Sequence, residues 1–203
     1  MNIEIILQRH GESLGNAKKM YLGSTDLGLS EKGFFQAESA ACAIENVRLD
    51  AVYSSDLKRA YNTALPHARL RGLEVVCVPG MRELFIGDWE GMTIYELVEK
   101  YGELFSVGWQ QNFGTFKAPN GESVPELADR IFDTVFKIAQ KHLDGERLLI
   151  VTHAAAIRSF WGKISDIDPA ALANTVPFPT NASFTRVVYN GERLIPISYS
   201  EEK

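Results

Sequence analysis

The sequence predicts an α/β protein, a three-layer α/β/α sandwich with a mostly parallel central sheet. Three observations support this prediction. Short apolar runs of strand length alternate with segments of helical spacing, two of these runs stop abruptly at His10 and His153, and the last two are joined by the hairpin signal Asn190-Gly191. With 203 residues the chain is long enough for one well-packed core. We therefore expect a single domain over 1–203, with a helical or irregular insertion at about 85–120 above one edge of the sheet.

The first predicted element is a buried strand. The apolar run at 3–7 is β-branched and too short for a helix, and it leads directly into Arg9, His10 and Gly11. Ligands bind at the carboxyl edge of an open α/β sheet, so a guanidinium beside an imidazole at this point indicates an anion site with a nucleophile or base. The tripeptide alone is a weak motif and needs distant partners.

The next segments predict a loop, a helix and a second strand. Leu14 to Gly28 is polar and glycine-rich, and Ser30 then begins a helix. Its buried face is predicted from apolar or small residues that recur at spacings of three and four: Phe34, Ala37, Ala41 and Ile44. A strand over 50–55 follows, and Ser55 can cap the next helix.

A third apolar strand runs from Glu74 to Val78, and after Pro79-Gly80 the composition changes. Eight aromatic residues fall within about thirty positions: Phe85, Trp89, Tyr95, Tyr101, Phe105, Trp109, Phe113 and Phe116. They either pack the insertion or line a ligand pocket, and the sequence leaves both roles open for each ring.

Two capping boxes predict helix starts in and after this insertion, Thr93 with Glu96 and Ser123 with Glu126. The second helix reaches about His142. Its apolar side is formed by Leu127, Ile131, Val135, Ile138 and Ala139.

The clearest central strand is Arg147 to Thr152, which is followed by His153 and a small-residue helix start at Ala154. The tail predicts two strands, 183–188 and 194–198, paired as a hairpin.

Charge and composition exclude several classes of partner. The net charge of −5 and the isoelectric point near 5.4 argue against a nucleic-acid or anionic-membrane surface, because such partners need a broad basic patch. An anionic ligand must then be held by a few local arginines and histidines.

Cys42 and Cys77 stand apart in apolar contexts, so we expect buried free thiols rather than a disulfide or a metal site. There is no basic segment followed by a long apolar run at the amino terminus, and no stretch approaches eighteen apolar residues. These features predict a cytoplasmic protein without an anchor.

His10 and His153 each follow a strand directly, and both converge on one crevice if those strands are neighbours. The chain has four histidines, and His67 and His142 lie in helical stretches as ordinary packing or surface residues. Two histidines in this special position are more telling than either alone.

Arg9 and Arg59 are the natural anion holders, since a guanidinium matches phosphate oxygens two at a time. Arg59 lies near the start of a predicted helix, where an inward orientation toward an anion is plausible. Asn16 can add a neutral donor, although Asn in a glycine-bearing loop is commonly a turn residue.

Several blocks of this sequence together resemble the histidine phosphatase superfamily, in its phosphoglycerate-mutase-like branch. The blocks occur in the family's order: Leu7 to Ser13 with Asn16, Leu29 to Ala37, Val52 to Ala60, Arg82 to Gly91, Gly121 to Ser123 and Val151 to His153. The resemblance covers residues 3 to about 160 and is far more specific than Arg-His-Gly alone.

The resemblance implies catalytic roles. His10 matches the nucleophile that becomes a phosphohistidine, and Arg9, Arg59 and His153 match the residues that hold the phosphoryl oxygens. Glu83 matches the proton donor, a role that the chemistry requires because an alkoxide leaves phosphorus poorly unless it is protonated. Without the family, Glu83 reads as a surface carboxylate.

The implied activity is metal-independent hydrolysis of a small phosphate monoester, with no cofactor. A metal site built from His10, His153 and a carboxylate remains a competing interpretation. One departure is Ala154, where the family commonly has glycine after the second histidine, and we expect a small effect. Arg158 on the following helix reads as a structural charge.

The same catalytic core serves phosphatases and mutases. A phosphoglycerate mutase needs further Arg or Lys residues for a second phosphate and a carboxylate. No arginine lies between Arg82 and Arg130, which favours a phosphatase that acts on a monoester with an apolar or aromatic leaving group, or a fairly promiscuous phosphatase. A catalytically silent module that binds phosphorylated ligands is the third possibility.

Overall fold

Six strands form one mixed sheet in the computed structural model, which describes residues 1–202. In chain order they are β1 (Ile3–Arg9), β2 (Ala51–Ser54), β3 (Val75–Cys77), β4 (Arg147–Thr152), β5 (Phe184–Tyr189) and β6 (Leu194–Glu201). The spatial order is β3-β2-β4-β1-β5-β6. The strands β1 to β4 are parallel to one another, whereas β5 is antiparallel to both of its neighbours, β1 and β6. The predicted mostly parallel sheet with a C-terminal hairpin is confirmed.

The helices precede or connect these strands. They are α1 (Leu14–Ala17), α2 (Glu31–Ala43), α3 (Lys58–Arg71), α4 (Ile94–Tyr101), α5 (Val124–Ala139), α6 (Ala154–Ile164) and α7 (Leu172–Thr175). Between them lie 3-10 turns at Pro79–Met81, Gly87–Trp89, Phe113–Thr115 and Pro169–Ala171, and a π-helix at Leu104–Trp109.

Alternate side chains of the central strands enter two separate cores, one on each face of the sheet. Ile6 of β1 packs with α2 and α3, whereas Ile5 and Leu7 pack with α5, α6 and the 85–120 segment. In β4, Leu149 faces the first core and Ile150 the second. This arrangement is the predicted three-layer α/β/α sandwich.

Both capping boxes are present, at the start of α4 and of α5, and the predicted apolar side of α5 is fully buried. The predicted buried face of α2 is wrong at Phe34, which is 49% exposed. The buried face begins at Gly33, which packs directly against the backbone of Glu12. Only glycine fits at this position, because a Cβ would lie 2.0 Å from the Glu12 carbonyl oxygen. Ala37 and Ala41 are buried as expected.

The loop predicted over Leu14 to Gly28 contains the short helix α1, whose N-cap is Ser13. The cap predicted at Ser55 is also wrong, since α3 begins at Lys58 with Leu57 as N-cap and no side-chain cap. The Lys58 N–H instead donates to Asp26 Oδ1 at 2.7 Å, so a carboxylate from a distant loop replaces the local serine.

Cys42 and Cys77 are free, and both are exposed, so the expectation of buried thiols is wrong. Cys77 lies on β3, which pairs only with β2 and forms one edge of the sheet. Cys42 lies near the end of α2. In the range 1–202, no helix has both the length and the apolar character needed to span a bilayer.

Candidate active site

His10 and His153 lie side by side at the carboxyl edge of the sheet. Their strands β1 and β4 pair in parallel with Arg9 opposite Thr152, so the residues that follow them emerge together. The ring centroids are 5.2 Å apart with an interplanar angle of 64°, and both side chains are buried. The expected convergence of the two imidazoles on one crevice is present.

The orientation of the His10 ring is fixed by its neighbour. Nδ1 lies 2.6 Å from the Gly11 carbonyl oxygen, which can only accept, so Nδ1 carries the proton and Nε2 keeps its lone pair. Gly11 is held in turn by its N–H, which donates to Thr63 Oγ1 at 3.0 Å. A Cβ on Gly11 would lie 2.5 Å from the Gly33 carbonyl oxygen, so this close approach needs glycine.

Both imidazoles are held in the neutral form. Burial, and then the positive charges of Arg59 and Arg9, place the pKa of His10 well below its ordinary value. Burial, Arg59 and His10 likewise lower the pKa of His153. Neither ring nitrogen of His153 has a hydrogen-bond partner within residues 1–202, so the ring carries a buried donor and a buried acceptor that are both unsatisfied.

The two predicted arginines both reach this edge. Arg9 donates from Nη1 to the Pro179 carbonyl oxygen at 2.6 Å. Arg59, which is 1% exposed, donates to the carbonyl oxygens of Thr25 and Gly23, each at 2.9 Å. Burial lowers the pKa of both guanidinium groups, and the negative charge of Glu83 opposes this shift.

Neither Arg9 nor Arg59 forms an ion pair with a carboxylate in the described part of the chain. The hydrogen bonds of the two guanidinium groups go to neutral carbonyl oxygens, so neither group is neutralised by a direct carboxylate partner. Their position beside neutral imidazoles therefore makes an anion the natural ligand.

Glu90 supports Arg59 through the loop 23–25. Its carboxylate accepts the N–H groups of Gly23, Ser24 and Thr25 at 3.2, 2.7 and 3.2 Å, and the Thr25 hydroxyl at 2.7 Å. The carbonyl groups of the same loop hold Arg59. Glu90 has no role predicted from the sequence, although it lies in the block Arg82 to Gly91.

The side chain of Glu83 reaches the amino end of α6. Its carboxylate accepts the N–H groups of Leu84 at 2.9 Å and of Ala155 and Ala156 at 3.1 Å each. A helix N-terminus offers unpaired N–H groups and a favourable field for a carboxylate. The side chain is half-buried, so the interpretation of Glu83 as an ordinary surface carboxylate is wrong.

A cavity of about 370 Å³ opens above these groups. Its lining is partly polar and partly apolar. The polar residues are Arg9, His10, Ser13, Asn16, Lys19, Arg59, Glu83 and Asn181, and the apolar ones are Met20, Tyr21, Leu22, Leu84, Ile86, Ile94, Trp109, Ala154, Ala155 and Phe178. Asn16 also closes a turn, because its Oδ1 accepts the Ser13 N–H at 3.1 Å. Both roles considered for Asn16 are therefore consistent with its position. Lys19 is a cation at the cavity that the sequence analysis missed.

The aromatic residues of the insertion divide into three groups. Trp109 lines the cavity and stacks on Phe178 at 6.0 Å between centroids. The buried packing residues are Trp89, Phe105, Phe113 and Phe116, with Tyr101 partly buried against them. Phe85 and Tyr95 are exposed.

Arg158 has the structural role expected of it. Its guanidinium lies over the rings of Phe113 and Phe178, at 4.5 and 4.2 Å from their centroids, and donates to the carbonyl oxygen of Val176 at 2.6 Å. Outside the cavity, His142 bonds to Tyr53 in the turn after α5, and His67 is buried on α3. Among residues 1–202 no group of three or more His, Cys, Asp or Glu side chains is arranged to hold a metal ion.

Known proteins resemble this chain over most of its length. The family model for the histidine phosphatase superfamily, branch 1, matches residues 5–201. A metal-independent phosphoserine phosphatase of Arabidopsis thaliana is 38% identical over 169 residues, 82% of this chain and 71% of the relative. A 2,3-bisphosphoglycerate-dependent phosphoglycerate mutase of Bartonella henselae is 32% identical over 165 residues, 78% of this chain and 80% of the relative. The solved structure of YhfR from Bacillus stearothermophilus is 27% identical and superposes with a TM-score of 0.92, covering 99% of this chain and 98% of that one.

Proposed function

Because the chain belongs to the histidine phosphatase superfamily, we propose that it hydrolyses small phosphate monoesters, without a metal ion, through a phosphohistidine formed on His10. The observation that carries the proposal is a neutral, buried imidazole whose Nε2 keeps its lone pair beside two guanidinium groups that form no ion pair. The protein is thus an enzyme, a phosphatase of this superfamily.

In the first step the phosphoryl oxygens bind Arg9, Arg59 and His153, and Asn16 supplies a further donor at the cavity. His10 Nε2 forms a bond to phosphorus as the bond from phosphorus to the alcohol oxygen breaks. The fixed cationic donors stabilise the charge of the transferring group without reorganisation. Glu83 is the one carboxyl group that lines the cavity within residues 1–202. In the complex with the phosphate dianion it is protonated, and it gives this proton to the departing alcohol.

In the second step water replaces the alcohol. Glu83, now a carboxylate, takes a proton from water as the water oxygen bonds to phosphorus and the bond to His10 Nε2 breaks. Inorganic phosphate leaves, His10 regains its lone pair, and Glu83 is again protonated. The contacts with Ala155 and Ala156 keep its carboxyl group at one place through both steps.

The cavity supports a phosphatase better than a phosphoglycerate mutase. Beyond Arg9 and Arg59, the cavity of the described chain offers one further cation, Lys19, whereas a mutase must hold a second phosphate and a carboxylate. Tyr21, Trp109 and Phe178 instead pack together as an aromatic wall of the cavity, which suits an apolar or aromatic alcohol. The relatives with the printed name phosphoserine phosphatase make phosphoserine a second candidate, for which Lys19 can bind the carboxylate.

Assays of the purified protein after exhaustive chelation test this function. We expect turnover of p-nitrophenyl phosphate to continue, and 3-phosphoglycerate to be hydrolysed rather than converted to its 2-isomer. Binding of phosphate esters without turnover would identify a silent module instead, and faster isomerisation than hydrolysis would identify a mutase. Loss of activity that only a divalent metal restores would favour the metal-site alternative.

We further propose a cytoplasmic location and no nucleic-acid or membrane partner. Two exposed free cysteines persist best in a reducing compartment. The net charge of −5 opposes binding to polyanions. Oxidation of Cys42 or Cys77 in protein isolated from cells under thiol-blocking conditions would argue against the compartment.

A further inference from the structure

Arg130 on α5 uses its whole guanidinium group to hold the segment that carries Glu83. Nη1 donates to the carbonyl oxygens of Gly80 at 2.9 Å and of Arg82 at 3.0 Å, and Nη2 donates to the Glu83 carbonyl oxygen at 3.2 Å. Nε and Nη2 also donate to the two carboxylate oxygens of Glu122, at 2.8 and 2.7 Å. The bidentate ion pair thus orients the guanidinium group while three carbonyl groups bind it.

The segment needs this support because it lacks secondary structure of its own. After the short turn Pro79–Met81, residues 82–86 belong to no helix or strand, so the carbonyl groups of Arg82 and Glu83 have no secondary-structure partner. On the sheet side Thr152 Oγ1 donates to the Met81 carbonyl oxygen at 2.7 Å. Arg130 holds the other side.

The ion pair is close to the catalytic centre and is partly shielded from water. The side chains of Arg130 and Glu122 are 29% and 17% exposed. The positive charge of Arg130 contributes to the lowered pKa of His153. Helix α5 also packs directly on the segment, because a Cβ on Gly80 would lie 2.5 Å from Thr134 Oγ1.

We propose that Arg130, oriented by Glu122, is a positioning residue for the proton donor Glu83. Arg130 holds the backbone of Glu83, and the start of α6 holds its carboxyl group. Because both ends of the residue are fixed, the carboxyl group keeps its position relative to the departing oxygen. The inference rests on the proposed function, since it assigns Arg130 to one step of that reaction. Neither Arg130 nor Glu122 touches the substrate.

The dependence of kcat/KM on the leaving group distinguishes positioning of the acid from a purely structural role, because a structural defect should affect alkyl and aryl esters equally. A nitrophenolate departs without protonation, whereas an alkoxide needs the acid. We therefore expect Arg130→Met to reduce kcat/KM for an alkyl phosphate by about tenfold to a hundredfold, the scale of a misplaced catalytic group. For p-nitrophenyl phosphate the same variant should lose at most about threefold. Lys137→Met is the matched control, because it removes an exposed cation from the same helix and should leave both values unchanged.

A second measurement places the effect on Glu83. In a Glu83→Gln background the acid is absent, so Arg130→Met should add no further loss for the alkyl ester. Arg130→Lys keeps the charge but not the planar fork, and we expect it to behave like Arg130→Met. Glu122→Gln keeps the arginine and should give a smaller loss in the same direction. If Arg130→Met does not fold by circular dichroism, these two variants carry the test.

Equal losses for the aryl and alkyl esters, an undiminished loss in the Glu83→Gln background, or wild-type kinetics in folded Arg130→Met would overturn the inference. Absence of turnover by the wild-type enzyme would instead refute the proposed function, and the two failures are therefore distinguishable.

Discussion

The imidazole of His10 stands edge-on to that of His153, with 5.2 Å between ring centroids, and within residues 1–202 neither ring bonds to a carboxylate. A histidine that is paired with a carboxylate is drawn toward the charged form, whereas these two are surrounded by arginines and apolar groups. Both rings are therefore uncharged at neutral pH, which is the state that the proposed roles of nucleophile and phosphate ligand require.

Removing the nucleophile should end catalysis. We expect His10→Ala to abolish turnover of p-nitrophenyl phosphate and the acid-labile phosphoryl label on the protein, because no other described imidazole at this edge has a free, oriented Nε2. Quenched-flow labelling with a radioactive ester measures both. His142→Gln is the control, since His142 precedes β4 at the opposite edge, and retained labelling in His10→Ala would show that another residue is phosphorylated.

The two buried histidines should make stability depend on pH. Their pKa values lie well below the ordinary 6.5, so below that pH the unfolded chain binds more protons than the folded one, and the free energy of unfolding falls as the pH is lowered. Each contributes at most about 1.4 kcal/mol per pH unit. Urea unfolding at several pH values between 7 and 5 gives the free energy of unfolding at each pH. This free energy should depend less steeply on pH for His153→Gln than for wild type. An unchanged slope would contradict the neutral burial of His153.

An anion should stabilise the folded enzyme through Arg59. Inorganic phosphate at about one hundred times its Kd is expected to add about 2.7 kcal/mol to the free energy of unfolding. Calorimetry with sodium chloride at matched ionic strength is the control. In Arg59→Met the increment should largely disappear, and an undiminished increment would place the anion site elsewhere.

Substitution of Glu90 should lower the affinity for phosphate, although Glu90 acts only through the loop 23–25 that holds Arg59. With Glu90→Gln one of the two acceptor oxygens becomes a donor, so loop 23–25 loses contacts and Arg59 loses its fixed carbonyl partners. We expect the competitive inhibition constant of inorganic phosphate to rise about tenfold, which corresponds to about 1.4 kcal/mol. Asp88→Asn is the control, because the Asp88 side chain is exposed and, within residues 1–202, bonds only to the Asn120 side chain. Equal effects of the two variants would count against a specific role.

Trp109 should affect the alcohol part of the substrate and not its phosphate. Trp109→Leu removes an aromatic wall of the cavity, so KM for aryl phosphates should rise severalfold while inhibition by inorganic phosphate stays the same. Tyr95→Ala tests an aromatic residue of the same insertion that is 76% exposed and should change neither value. A rise in the phosphate inhibition constant would indicate a disturbed fold instead.

The sequence was most informative where the structure is local or strictly periodic. The strand ends at His10 and His153, the capping boxes of α4 and α5, and the hairpin at Asn190-Gly191 follow from short patterns, and all are present. The convergence of the histidines followed because parallel neighbours share one edge.

The failures concern contacts between segments far apart in the chain. Glu90 binds a loop more than sixty residues earlier, and Arg130 binds carbonyl groups almost fifty residues earlier. Because both bind mainly to backbone atoms, no periodicity or residue pairing marks them in the sequence. Phe34 was misjudged for a related reason, since the backbone contact of Gly33 with Glu12 determines how α2 packs.

The hydrogen bonds of Glu90 and Arg59 to residues 23–25 limit which sequence changes this loop can accept during evolution. Apart from the Thr25 hydroxyl, these contacts use main-chain atoms, so the side chain of Ser24 takes no part in them. Gly23 is different, because a Cβ there would approach the Leu84 carbonyl oxygen to 2.2 Å. Position 24 is thus open to substitution. A single insertion or deletion in the loop, in contrast, would release the guanidinium group of Arg59 and so remove one of the groups that bind phosphate.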